Sequence, residues 1–238
     1  MSAAPGPMTA QGIARELGAP RSSTYHLLDA MREAGFVVNI DGRWGLGVAA
    51  FEVGAAYSRL DPLARLAVPV LRNVARSVGT RPTVVYLAVL HGAETLYVAK
   101  HETRRLPIVT EVGVRLPAAL TASGRAMLAA LPRAQARATM STPTAFVDRT
   151  GRGPRGWHEL RELLDAEAMR GWSEEDGHIT EGFASIAVPV RNHLHLPVAA
   201  LGVTFESAVT TRDERLRIAR VLRAAAHTLS TRLGERAE

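Results

Sequence analysis

Hydrophobic positions along the 238-residue chain follow a helical period first and a mixed period later. The segment MTAQGIARELG predicts a short helix with Thr9 as its N-cap, Ile13, Ala14 and Leu17 turned inward, and Gly18 as the stop. A second helix is expected from Pro20 to Ala34, in GAPRSSTYHLLDAMREAGFV, with Leu27, Leu28 and Met31 on its buried face. Its first turn breaks the pattern: Arg21, Ser22, Ser23 and Thr24 are successive donors that contribute nothing to a core. Asp41-Gly42 then sits between FVVNI and RWGL, a strong two-residue hairpin signal.

Beyond the hairpin, VAAFEVGAAYS predicts an Ala-rich helix from Leu46 to about Arg59 that connects two domains. Asp61-Pro62 marks a new helix start, and Leu63, Leu66, Val70, Leu71 and Val74 carry the helical spacing to about Val78 and Gly79. The period then changes: TVVYLAVLHG and ETLYVAKHE are β-branched and aromatic, an expected antiparallel hairpin. LPIVTEV reads as a third extended piece and TASGRAMLAAL as a helix from Thr121 to Pro132. STPTAFVDRTGRGPRG is expected to be a mobile loop and WHELRELLDAEAMRG a helix. SIAVPVRN and PVAALGVTFE follow as strands, and a long helix runs from about Arg212 to Leu233. The fold class is therefore α+β, with boundaries at 1–46, 47–60 and 61–238.

A helix, a short Gly-containing turn, a second helix and a hairpin, in that order, make a winged helix-turn-helix, the unit that lays its second helix in the DNA major groove. Arg21, Ser22, Ser23 and Thr24 would then meet phosphates and base edges, with His26 one turn on; Arg32 and Arg43 would hold phosphates. Ser22 and Ser23 would otherwise only cap a helix. Winged domains usually carry another helix before this pair. Only eight residues precede Thr9, so that helix is expected either to be absent or to lie upstream of Met1.

Charge alters this picture only partly. The net charge is +6, and of 29 basic residues only Lys100 is a lysine, which suits phosphate and carboxylate recognition. Residues 1–60 nevertheless balance five arginines against five acids, whereas residues 100–161 hold eleven basic groups and four acids. DNA binding must therefore depend on where arginines point. No apolar run approaches the ~20 residues of a membrane span, and MSAAPGPM lacks the regions of a signal peptide, so a cytoplasmic protein is expected. The absence of cysteine removes disulfides, thiolate metal sites and cysteine nucleophiles.

In order and motif the chain resembles the IclR family of bacterial transcription regulators over nearly its whole length. GIARELGAPRSSTYHLLDAMREAGFV, GRWGLG, VGVRLPAALTASGRAMLAAL, EDGHITEGFASIAVPV and PVAALGVTF carry the resemblance. It implies a winged helix-turn-helix, a linker helix and a GAF-like effector-binding domain, assembled as a homodimer or homotetramer on palindromic double-stranded operator DNA, with repression as the default sign. It also implies a small-molecule effector pocket between LPAALTASG, GHITEGFAS and PVAALGVTF, around Leu116, Ala122, Ser123, Asp176, Phe183, Ser185 and Thr204. Free amides where Ser123 and Gly124 open their helix would suit a carboxylate. Two positions depart from the family: Ala119 stands where many relatives carry His, and His178 replaces the usual acid four residues before Gly182. Neither a cofactor nor a metal is implied.

Three other readings compete. Ser123, His178 and Asp176 form a nominal triad, but no G-x-S-x-G elbow is present and an enzyme is not expected. His193 and His195 at i and i+2, with His178 as a third ligand, would be needed for zinc. A small-molecule-sensing module acting on protein partners, with a vestigial DNA-binding domain, would fit the neutral first sixty residues.

Overall fold

A computed structural model describes residues 6–60, 62–79, 81–142 and 144–234. The chain divides between Arg65 and Leu66 into two compact units.

In the first unit, β1 (Met8–Thr9) leads into α1 (Ala10–Leu17), where Thr9 caps the helix by accepting from the Gly12 amide at 3.1 Å and Gly18 ends it in the left-handed region. α2 (Arg21–Glu33) follows, then β2 (Val37–Ile40) and β3 (Arg43–Leu46), joined through Asp41 and Gly42, both at positive φ as the tightest hairpin turn demands. The sheet order is β1-β3-β2, and the two-residue strand β1 has no hydrophobic alternation that would announce it. Ala10, Ile13, Leu28, Val37 and Trp44 form the small core. Leu17 and Leu27, expected inside, are more than half exposed or half exposed at 59% and 50%. The tight turn sets the crossing of α1 and α2 so that Ile13, Ala14 and Leu28, not Leu17 and Leu27, are buried. α3 (Val48–Leu60) continues the chain and carries exposed Val48, Phe51 and Val53.

The second unit is built on an antiparallel sheet in the order β6-β5-β4-β9-β8-β7. α4 (Pro62–Val78) precedes it; the expected start at Asp61 lies outside the described residues. β4 (Thr83–His91) and β5 (Glu94–Glu102) form the expected hairpin. LPIVTEV is not a strand: the third extended piece is β6 (Arg115–Pro117), reached after turns at residues 106–114. α5 (Ala122–Ala130) begins with Thr121 as its N-cap, and α6 (Arg133–Thr139) is an unanticipated short helix beginning after Pro132. Residues 141–156 contain no regular element where described, and α7 (Trp157–Arg170) stops at left-handed Gly171. β7 (Ser173–Asp176), β8 (Phe183–Arg191) and β9 (Pro197–Glu206) complete the sheet, and α8 (Arg212–Gly234) closes the fold.

Candidate effector cavity and nucleic-acid interface

On α2, each residue turns by about 100° around the axis. Thr24 and Leu28 define the buried side, which leaves Ser22 and His26 near the centre of the solvent face, flanked by exposed Arg21 and Ser23. Thr24 does not belong to that face: it is 1% exposed and its hydroxyl donates to the Pro20 carbonyl at 3.0 Å. This corrects its expected place among the groove-facing donors, since Thr24 stands four residues before Leu28 and shares its inward face. Tyr25, unremarked in the sequence, is exposed beneath Arg21, whose guanidinium lies 5.7 Å from its ring centroid. Arg32 is exposed and paired with Asp29 at 3.0 Å, and Arg43 is exposed with one guanidinium nitrogen donating to the Pro7 carbonyl at 3.3 Å. Both pairings are solvent-exposed and therefore weak enough to exchange for phosphate.

In the second unit, strands β4, β5, β7, β8 and β9 and the start of α5 surround a small cavity. Its lining includes Tyr86, Tyr97, Thr121, Glu175, Ser185 and Thr204. The two phenol rings meet edge to face at 4.9 Å. Ser185 donates to a Glu175 carboxylate oxygen at 2.6 Å and lies 2.9 Å from the Thr204 hydroxyl. The other Glu175 oxygen accepts from the His178 amide at 3.0 Å. Burial pushes the Glu175 carboxyl up to about 7 against these two hydrogen bonds and the Arg125 charge, which favour ionisation. Burial likewise raises both phenols, so they remain donors at neutral pH. The free volume is about 10 Å³, room for roughly one water molecule.

Of the expected effector residues, Ala122, Phe183, Ser185 and Thr204 line this cavity. Leu116 is buried in the apolar cluster with Tyr86 and Tyr97 that backs its wall. Ser123 is wholly buried, with its hydroxyl beside the Tyr97 phenol. The Gly124 amide is not free for a carboxylate, because it donates to Thr121 Oγ1 at 3.1 Å.

Asp176 is a correction. Residues alternate faces along β7, so Ser173 and Glu175 turn to the buried side and Asp176 to the other. There it accepts from Arg215 at 2.9 Å and from Ser207 at 2.7 Å. Partial burial raises its carboxyl, but these partners bring it below the usual carboxylate range. Glu175 is the acid in the cavity. The sequence SEED offers no apolar alternation from which its register can be read.

His178 stands beside the most deeply buried ion pair. Arg125, 1% exposed, donates Nε to both Glu167 oxygens at 3.1 and 3.2 Å, Nη1 to the Ala119 carbonyl at 3.2 Å, and Nη2 to the Glu174 carbonyl. The same Nη1 is 3.3 Å from His178 Nδ1, which therefore accepts as a neutral ring. Burial, then the Arg125 charge, lowers the His178 imidazole to about 4. Ala119 is also buried, packed with Leu128 and Leu160. His193 and His195 lie in the β8–β9 turn, and among the described residues no three His, Asp or Glu are placed to hold a metal.

Comparison with known proteins places this geometry. The chain matches the bacterial transcriptional regulator IclR C-terminal description over residues 55–231 and the IclR helix-turn-helix domain over residues 1–40. It is 31% identical over 229 residues to the glycerol operon regulatory protein of Streptomyces coelicolor, covering 93% of this chain and 87% of that relative. Among solved structures, an IclR homologue of Microbacterium hydrocarbonoxydans complexed with 4-hydroxybenzoate superposes with a TM-score of 0.76 at 26% identity, covering 98% of this chain and 93% of that one. An IclR transcriptional regulator of Alicyclobacillus acidocaldarius gives 0.79 at 23% identity, covering 95% and 90%, and supports the fold. Its two family matches, together spanning most of its length, make this chain a member of the IclR family of bacterial transcriptional regulators, a DNA-binding protein and not an enzyme.

Proposed function

We propose that this protein is a cytoplasmic, ligand-responsive repressor, working as a homodimer or homotetramer on a palindromic operator. Residues 1–46 would form the DNA-binding domain, 47–60 the linker and 61–238 the effector domain. Arg21, Ser22, Ser23 and His26 read the groove, and Arg32 and Arg43 hold phosphates. The exposed Val48, Phe51 and Val53 of α3 offer apolar surface to a second copy.

The observation that carries the effector reading is the narrow cavity beneath Tyr86 and Tyr97, polar on several sides yet too small for an organic molecule. A ligand can enter only by moving its walls, and differential binding to the expanded and closed arrangements is what couples effector to operator affinity. Hydroxyl donors, the Glu175 carboxyl and the apolar edges of Phe183 and Ile179 suit a small aromatic or aliphatic hydroxy compound. 4-Hydroxybenzoate, bound by the Microbacterium homologue, is the first probe.

Fluorescence anisotropy with DNA flanking the gene, against scrambled DNA at two salt concentrations, tests the reading. Specific binding with a steep salt slope is expected. Release by an added hydroxy compound should weaken in Ser185→Ala, which removes the hydroxyl that donates to Glu175 while operator binding persists. Equal affinity for operator and scrambled DNA would reject the regulator reading of the first unit.

A further inference from the structure

A second and far larger concavity opens where α5, α7, α8 and the end of β8 meet beside β7. It measures about 570 Å³, within the usual range of small-molecule sites, whereas the tyrosine cavity has about 10 Å³. Its size follows from its floor, where Ala126, Ala129 and Ala168 present only methyl groups and Gly171 none. Bulkier residues at these helix positions would fill the space.

The polar lining is one-sided in charge. Arg191 and Arg223 contribute permanent cations, and His227 an imidazole from the same helix as Arg223. The one acid of the lining is Glu167, whose oxygens are already engaged by Arg125 and, at 3.4 Å, by Arg170. Arg191 donates to the His195 carbonyl at 2.7 Å, which holds it across the mouth. Among the described residues no acid pairs with Arg223.

Ser173 supplies the independent sign of a ligand. It lines the groove from β7, is 1% exposed, and its hydroxyl has no hydrogen-bond partner. A buried hydroxyl left unpaired is costly, and serine could be replaced by alanine here at no loss of packing. An oxygen of a bound molecule would satisfy it.

We propose that this groove is a second ligand site, separate from the tyrosine cavity, for a small molecule bearing an oxyanion. Arg223 pairs with the anion, Ser173 donates to one of its oxygens, and the alanine floor receives the remainder. Carboxylate and phosphate share this chemistry, since either accepts from a guanidinium and a hydroxyl at once.

Inorganic phosphate and succinate, each titrated into the full-length protein at ionic strength held constant with chloride, distinguish the two sources. A saturable rise in melting temperature, confirmed by calorimetric titration, is expected for at least one. Arg223→Gln should weaken that binding by about tenfold or more. Ser173→Ala should bind less tightly too, yet melt no lower than the parent without anion, because it removes an unpaired hydroxyl. That combination separates a ligand contact from a structural role. The proposal fails if neither anion gives saturable binding, or if both variants bind as the parent does. A change of oligomeric state in Arg223→Gln without anion binding would assign the groove to a second copy of the chain, and equally overturn it.

Discussion

Tyr86 stands opposite Gly202 across the β4–β9 ladder, and its phenol ring occupies the space where a Cβ at residue 202 would be. The glycine thus aims the aromatic wall of the tyrosine cavity by having no side chain. Gly202 lies in the strand interior, where glycine is usually unfavourable, so its presence reflects this close approach. Gly202→Ala should force the ring from its site at a cost of about 1–3 kcal/mol. Chemical denaturation would measure the loss, and an unchanged midpoint with an unchanged effector response would show that the ring is free to move aside.

The register of β7 makes Glu175 the source of a pH effect. Its carboxyl is raised to about 7 in the fold, above the ordinary glutamate value near 4.5. The folded state therefore holds a proton that the unfolded chain gives up, and this group's contribution to stability declines as pH climbs from about 4.5 to 7. His178 acts in reverse: lowered to about 4, it disfavours folding as pH falls below about 6.5. The two slopes oppose each other between about 4.5 and 6.5. Glu175→Gln removes the first, so melting temperature should rise with pH through that window more steeply than in the parent. An identical pH profile would rule out a neutral Glu175 carboxyl at mildly acidic pH.

Much of the frame was legible in sequence because local chemistry dictates it. Thr9, Gly18 and Asp41-Gly42 each impose one backbone solution, and the hairpin of β4 and β5 follows from β-branched alternation. Site residues on long-patterned strands, Ser185 and Thr204, could likewise be assigned to the cavity. What could not be read depends on tertiary registry. Glu175 and Asp176 are adjacent acids in a four-residue edge strand, and only pairing of Asp176 with Ala184 and Glu175 with Ser185 decides which is buried. Tyr86 and Tyr97 look like ordinary strand aromatics until the fold brings their rings together. In α2, a donor run of four residues spans most of the helix circumference, so one of them must face inward.

Thr24 is that residue, and its replacement separates packing from recognition. With its hydroxyl bonded to the Pro20 carbonyl and its methyl in the core, Thr24→Ala should lower stability by about 1–2 kcal/mol while leaving the operator preference of the folded protein intact. Melting curves and competition against scrambled DNA would check both halves. A selective loss of operator preference at full stability would return Thr24 to the recognition surface.

Arg125 joins the elements that meet around the two concavities of the second unit. Its guanidinium ties Ala119, Glu167, Glu174 and His178 together, and none of its nitrogens reaches solvent in quantity. Arg125→Met would leave the buried Glu167 carboxylate with only the longer ion pair to Arg170 at 3.4 Å, at a cost of about 3–5 kcal/mol. Replacing both partners, Arg125→Met with Glu167→Gln, removes the stranded charge and should recover a substantial part of that loss. Thermal denaturation of the two single variants and the pair measures the coupling directly. If the double variant lost the sum of the single losses, the pair would not be interacting, and the stability of this region would have to come from the apolar packing of α5 on α7 alone.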